Sequence, residues 1–358
     1  MKKILLFITL ISFAIAQSQI VNIPDTNFKN ALLNHTPTID TNGDNEIQVS
    51  EAENFTSGLN LEYKNISNLT GISSFINITG LNLFQNNLNN LDLASNTNLE
   101  TLTCAYNNLT ILDVSNQTSL TTLICYNNNL NSISLNNPNL TTLYCEKNEL
   151  LSINLNSCVS LEDLTIFNNP LTDIDFINNT NIIELEIGNN QIVNLDLSPL
   201  SQLEHAFIGG DVGEDDIYIE TINLKNGNNN DLDITEEGIM GMPNLTDVCV
   251  DDINNTAFSN YIINGVGHSV NFTENCSTLS VLQKHLLAFS IFPIPTENIL
   301  NIKSKTEIVK TEIYSKLGQK IKETTESKID ISNLTQNLYF VKVKDVNGNF
   351  GVKKIVKK

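Results

Sequence analysis

Six oxygen-bearing side chains alternate through residues 40–51: Asp40, Asn42, Asp44, Glu46, Gln48 and Glu51. Counted from Asp40 they fall at positions 1, 3, 5, 7, 9 and 12, with apolar Ile47 at position 8. Carboxylate and amide oxygens spaced in this way on a tight loop are donors that a hard cation takes, and the final glutamate can offer two oxygens at once. The spacing therefore predicts a calcium site with a structural or regulatory role, against the alternative of a merely polar loop between helices. A second group is aromatic. Phe84, Tyr106, Tyr126, Tyr144 and Phe167 recur about once per twenty residues, flanked by Glu146, Glu184 and Glu186. Aromatic rings beside acids and amides suit stacking on a sugar or contact with a basic protein patch. Catalytic groupings are harder to find. His35, His205, His268 and His285 lie far apart, with no H-x-x-x-H pair, no G-x-S-x-G turn and no glycine-rich phosphate loop, so the expectation is a protein that is not an enzyme.

The elements that must position these groups come from a repeat. Leu81, Leu102, Leu123, Leu143, Leu164 and Leu185 recur at intervals of 20 or 21 residues. Each stands in a unit L-x-x-L-x-[LCI]-x-x-N-x-[LI], such as Leu99, Leu102, Cys104, Asn107 and Leu109. One such unit buries about six apolar side chains at roughly 1.5–3 kcal/mol each, while ordering its backbone costs about 1–2 kcal/mol per residue. A lone unit cannot fold; stacked units share a ladder of strands and close a common interior. Cys104, Cys125 and Cys145 occupy the inward position of Leu83, Ile166 and Ile187. They read as small core residues in a column, since three thiols without a fourth suitably spaced ligand make a poor zinc site. The Asn column, including Asn107 and Asn128, reads as scaffold: a buried amide can satisfy backbone groups of neighbouring turns.

These motifs resemble the leucine-rich repeat, in the short bacterial, internalin-like class. The resemblance implies a solenoid with parallel β-strands on the concave side, 3₁₀ turns and loops on the convex side, a small helical N-terminal cap and a C-terminal all-β sandwich. With strands about 4.8 Å apart, Phe84 to Phe167 would span roughly 19 Å of the concave face. The 40–51 loop resembles an EF-hand, with Asn45 where that family has glycine. Asp25 is placed to cap a helix running to about Asn34.

The first residues, MKKILLFITLISFAIAQ, join a basic start, an apolar run and an A-x-A site, which predicts a secretory signal peptide over residues 1–16. No later run approaches the roughly 20 apolar residues of a spanning helix. Net charge is −20 and unevenly placed: residues 17–282 hold 33 acids against 4 lysines, whereas residues 283–358 hold 14 lysines against 7 acids. An acidic body repels phosphate backbones, which argues against nucleic acid as a partner. Export to an oxidising space predicts a disulfide between Cys249 and Cys276, with Cys158 left without an evident partner.

After residue 283 short alternating runs with Asn-Gly and Leu-Gly turns predict a small antiparallel sandwich. The segments FPIPTENILNI, IYSKLGQKI, IDISNL, LYFVKV and GNFGVKKIVK resemble the type IX secretion sorting domain of Bacteroidetes. That resemblance implies recognition by the outer-membrane translocon and a secreted or cell-surface destination. The expected organisation is a signal peptide (1–16), a cap with the calcium-type loop (17–75), repeats (76–250), a second cap and linker (251–282) and the sorting domain (283–358). The expected function is adhesin-like recognition of an extracellular protein or glycan by the concave face. A structural surface component without a ligand, or an inhibitor or accessory subunit of extracellular enzymes, are the alternatives.

Overall fold

The computed structural model describes residues 19–210, 218–229, 232–234, 236–276, 289–292, 296, 298–315, 320–346 and 350–358. The expected signal peptide, residues 1–16, lies outside them. The chain divides after Leu279 into two compact units.

In the first unit eight parallel strands form the main, concave sheet: Leu59–Asn60, Gly80–Asn82, Thr101–Thr103, Thr122–Ile124, Thr142–Tyr144, Asp163–Thr165, Glu184–Glu186 and His205–Phe207. Each is only two or three residues long, with one side chain pointing inward: a leucine in all but the last, where Ala206 takes its place. Leu81, Leu102, Leu123, Leu143, Leu164 and Leu185 stand in register from strand to strand, each at most 2% exposed. Behind them Leu83, Cys104, Cys125, Cys145, Ile166 and Ile187 form the second inward column, all buried. The three thiols are unbonded, and burial pushes that of Cys104 up to about 12. They pack as small apolar groups.

After each strand the chain must turn sharply, and it does so through a residue in the left-handed conformation: Tyr63, Gln85, Tyr106, Asn127, Lys147, Asn168 and Asn189, with φ between 51° and 56°. Left-handed backbone is unfavourable for residues with a Cβ. From Gln85 on, what holds it is the next residue, an asparagine each time. Asn107 donates from Nδ2 to the Leu83 and Cys104 carbonyls and accepts from the Leu88 amide; Asn128 makes the same bonds one turn on, to Cys104 and Cys125, and accepts from Leu109. Asn86, Asn148, Asn169 and Asn190 repeat the arrangement. A second amide column runs along the convex side, where Asn96, Gln117, Asn137 and Asn179 donate to carbonyls of the preceding turn. Cys158 occupies the same column, buried, in place of an amide.

Two boundaries differ from the repeat pattern. The ladder starts one turn earlier, within residues expected to be cap. Leu59, Leu61 and Ile66 are all buried there, but Lys64 stands where later turns have asparagine and hides the match. At the other end the main sheet stops at His205–Phe207. Asp233, Gly238 and Met240 take up its edge, with Ala206 N–H donating to Asp233, the Ile208 and Gly209 amides donating to Gly238 and the Gly210 amide donating to Met240. The strands Thr221–Asn223, Asp247–Cys249 and Asn271–Thr273 therefore stack on Asn194–Asp196 in a separate four-stranded parallel sheet. The convex returns are mainly turns, with one 3₁₀ segment at Ile72–Ser74 and a two-stranded sheet joining Ile111–Asp113 to Ser132–Ser134 among the described residues.

The N-terminal cap contains helices Thr26–Leu33 and Val49–Asn54. Asp25 caps the first through the Asn27 and Phe28 amides and also accepts from the Ser67 and Asn68 amides, tying the helix to the first turn. The second unit is a sandwich. A three-stranded sheet (Phe289–Phe292, Ile299–Ser304, Lys328–Asp330) and a four-stranded one (Lys320–Thr324, Ile308–Ser315, Leu338–Asp345, Phe350–Val356), both antiparallel, share a core that includes Leu300, Ile313, Ile329 and Val341.

Candidate functional site: the solvent face of the main sheet

With the central side chain of each three-residue strand buried, its two neighbours face solvent. One outward column reads Gly80, Thr101, Thr122, Thr142, Asp163, Glu184, His205; the other reads Asn82, Thr103, Ile124, Tyr144, Thr165, Glu186, Phe207. The five aromatic residues singled out from the sequence do not share a column. Tyr144 lies within its strand, Phe84, Tyr126 and Phe167 lie just past their strands, and Tyr106 lies on the left-handed turn, 46% exposed. This stagger builds a row of edge-to-face contacts. Tyr63 meets Phe84 at 5.3 Å, Phe84 meets Tyr106 at 5.2 Å and Tyr106 meets Tyr126 at 5.5 Å between centroids. Tyr63 went unremarked in the sequence because its turn lacks the Asn signature. Phe167 sits under the Lys147 ammonium, 5.9 Å from the ring centre.

The sheet thus divides. Its first strands carry the aromatic row and a run of threonines; its later strands carry acids. The Tyr144 hydroxyl donates to Asp163, and that bond raises the tyrosine's pKa, with burial and the nearby Glu184 and Glu186 adding to it. Burial pushes the Glu146 carboxyl up to about 7, and Glu186 adds to the rise while Lys147 opposes it. Glu146 Oε2 is buried with no hydrogen-bond partner among the described residues. Glu186 is raised as well, by burial and then by Asp163 and Glu184. None of Glu146, Asp163, Glu184 and Glu186 has an ion pair among the described residues. The arrangement is a cluster of four acids outside any ion pair, bordered by aromatic rings.

The six residues of the 40–51 loop are brought together, but their oxygens face inward onto the loop's own donors. Asp40 accepts from the Gly43 and Asn45 amides, Asp44 from the Glu46 amide and the Gln48 side chain, and Glu51 from Thr41, Asn42 and Gln48. Asn42 Nδ2 donates to Asp44, and Glu46 pairs with Lys29 at 2.7 Å. Asn45 adopts φ 63°, the left-handed geometry that asparagine tolerates. No three acidic, His or Cys side chains converge as a metal set among the described residues. The donors suit a hard cation in kind. Cys249 and Cys276 are joined by a disulfide, with Cα atoms 5.4 Å apart.

Comparison with known proteins adds to this geometry. Residues 290–358 match the family model of the secretion system C-terminal sorting domain. Among solved structures, internalin C2 of Listeria monocytogenes is 23% identical over 66% of this chain and 98% of its own, with a TM-score of 0.43. Internalin InlF of the same organism is 21% identical over 73% of this chain and 98% of its own, with a TM-score of 0.33. The functional domain of InlJ from Listeria monocytogenes, described as including a cysteine ladder, is 18% identical over 95% of this chain and 98% of its own, with a TM-score of 0.28. A search of curated proteins returned no match. The first unit is a parallel β-solenoid of leucine-rich-repeat type. The C-terminal unit is a type IX secretion sorting domain, which engages the secretion machinery and assigns the protein to the cell surface or the medium. No helix among the described residues is long and apolar enough to cross a membrane.

Proposed function

We propose that this protein is a non-catalytic, adhesin-like recognition module that binds a basic extracellular protein on the later strands of its main sheet. The observation that carries this reading is the unpaired cluster Glu146, Asp163, Glu184 and Glu186, with Tyr144 at its centre. Uncompensated carboxylates on a rigid surface favour a partner bearing lysine and arginine, both by steering its approach and by charge-assisted hydrogen bonds. The aromatic row alongside supplies apolar contact area with little entropy to lose.

The test is an array of purified extracellular proteins probed with the full chain and with a Glu184→Gln/Glu186→Gln variant. Proteins retained by the wild type should be basic, should release as salt rises and should be lost with the variant. Equal retention by the variant would sink the reading. Calcium belongs to the proposal only as a stabilising ligand of the cap, supported by the donor spacing of residues 40–51. Thermal unfolding with calcium and with a chelator should then differ, and the difference should vanish in Asp40→Asn.

A further inference from the structure

Besides the main sheet, the left-handed turns create a groove of about 450 Å³ along one rim of the solenoid. Its walls are Gln85, Asn87, Tyr106, Asn108, Asn127 and Asn129, from three consecutive turns, and Lys147 stands at its end. We propose that this rim groove binds a neutral, linear, β-linked oligosaccharide of about three sugar units, one per turn.

The amides carry the argument. Many other asparagines of the solenoid have a structural task. Asn86, Asn107 and Asn128, which lie directly beneath the groove, spend their amides on the buried ladder. Exposed Asn98, Asn139 and Asn181 each donate to a carbonyl of the preceding turn. The side-chain amides of Gln85, Asn87, Asn108, Asn127 and Asn129 make no hydrogen bond among the described residues. Backbone geometry accounts for Asn127, a left-handed residue with φ 51°, but not for the others. Asn87, Asn108 and Asn129 are not left-handed residues, and Gln85 and Tyr106, which are, have φ values of 51° and 54° that asparagine or glycine would adopt more readily.

A primary amide offers donors and an acceptor together, which matches the adjacent hydroxyls of a pyranose. Tyr106, 46% exposed between them, presents a ring on which the C–H face of a sugar can lie. Successive turns repeat these groups at the strand spacing of about 4.8 Å, close to the advance of one sugar in an extended β-linked chain. Charge selects against a polyanion: Lys147 is the only cation in the groove and one of only 4 lysines among residues 17–282, which carry 33 acids.

Calorimetric titration of the full chain with cellohexaose and with chitohexaose tests the assignment. At least one should bind with a dissociation constant in the millimolar range or tighter. Asn108→Ala/Asn129→Ala and Tyr106→Ala should each weaken that binding about tenfold. Tyr106 also packs against Phe84 and Tyr126, so if its variant loses the circular dichroism of the folded protein, the exposed amide pair decides. Glu184→Gln/Glu186→Gln should leave sugar binding unchanged, which separates this groove from the protein-binding face proposed above. The assignment is overturned if neither hexasaccharide binds at millimolar concentration, if the amide variant binds as the wild type does, or if the main-sheet variant weakens the sugar equally.

Discussion

Glu146 shows how one side chain acquires a property that its neighbours withhold from the rest. It follows Cys145, a buried residue just past the strand Thr142–Tyr144, so its carboxyl is drawn against the sheet, where it meets Glu186 and has only Lys147 to offset the charge. Its folded pKa of about 7 stands above the ordinary 4.5. A raised acid favours the folded state fully only below its unfolded value, and that contribution is lost as pH rises through 7. Glu146→Gln should therefore raise the melting temperature relative to wild type at pH 8 and leave it nearly unchanged at pH 5; an equal shift at both would show that packing, and not ionisation, is responsible. Binding runs the opposite way with pH. A cationic partner favours the ionised form of Glu146, so affinity should increase from pH 6 to pH 8.

At the scale of the element, the turn is held by pairs of columns: apolar residues within, amides at both bends. The strand-side asparagines satisfy the backbone where the chain turns left-handed, and the convex amides do so where it returns. Cys158 breaks the second column, because a thiol is a weak donor and cannot bridge two carbonyls as Asn179 does to Leu155 and Cys158 itself. Cysteine and asparagine are close in volume, so Cys158→Asn should restore the column and stabilise the protein by about 1 kcal/mol, read as a higher melting temperature. A lower one would mean that the thiol's apolar packing outweighs the missing hydrogen bonds. The convex column is hard to see in sequence, since Phe75, Asn96, Gln117, Asn137, Cys158 and Asn179 share a place but not a chemistry.

For the whole molecule, a solenoid is stabilised turn by turn, so damage at one end need not spread. The Cys249–Cys276 bond closes a 27-residue separation over the last strands of the second parallel sheet. Replacing both cysteines with serine should cost this end about 3 kcal/mol, and hydrogen exchange should rise at residues 247–273 while the ladder from Leu81 to Leu185 keeps its protection. Uniform loss of protection along the chain would contradict the turn-by-turn account. The sequence by itself determined the stacked turns, the inward thiols, the asparagine scaffold, the cysteine pairing suggested by export and the sorting domain, because each leaves a mark at fixed local spacing. It marked Phe84, Tyr106, Tyr126, Tyr144 and Phe167 as one outward set. Only the tertiary structure distributed them over strand, strand end and turn, joined Tyr63 to them, set Tyr144 on Asp163 and gathered the later acids onto neighbouring strands. It also decided that the main sheet ends at Phe207, where Asp233 and Gly238 occupy its edge. Periodicity along a chain fixes which residues face in. Which outward groups touch, and where a ladder stops, depends on contacts between segments about 20 or more residues apart, and local spacing does not encode them.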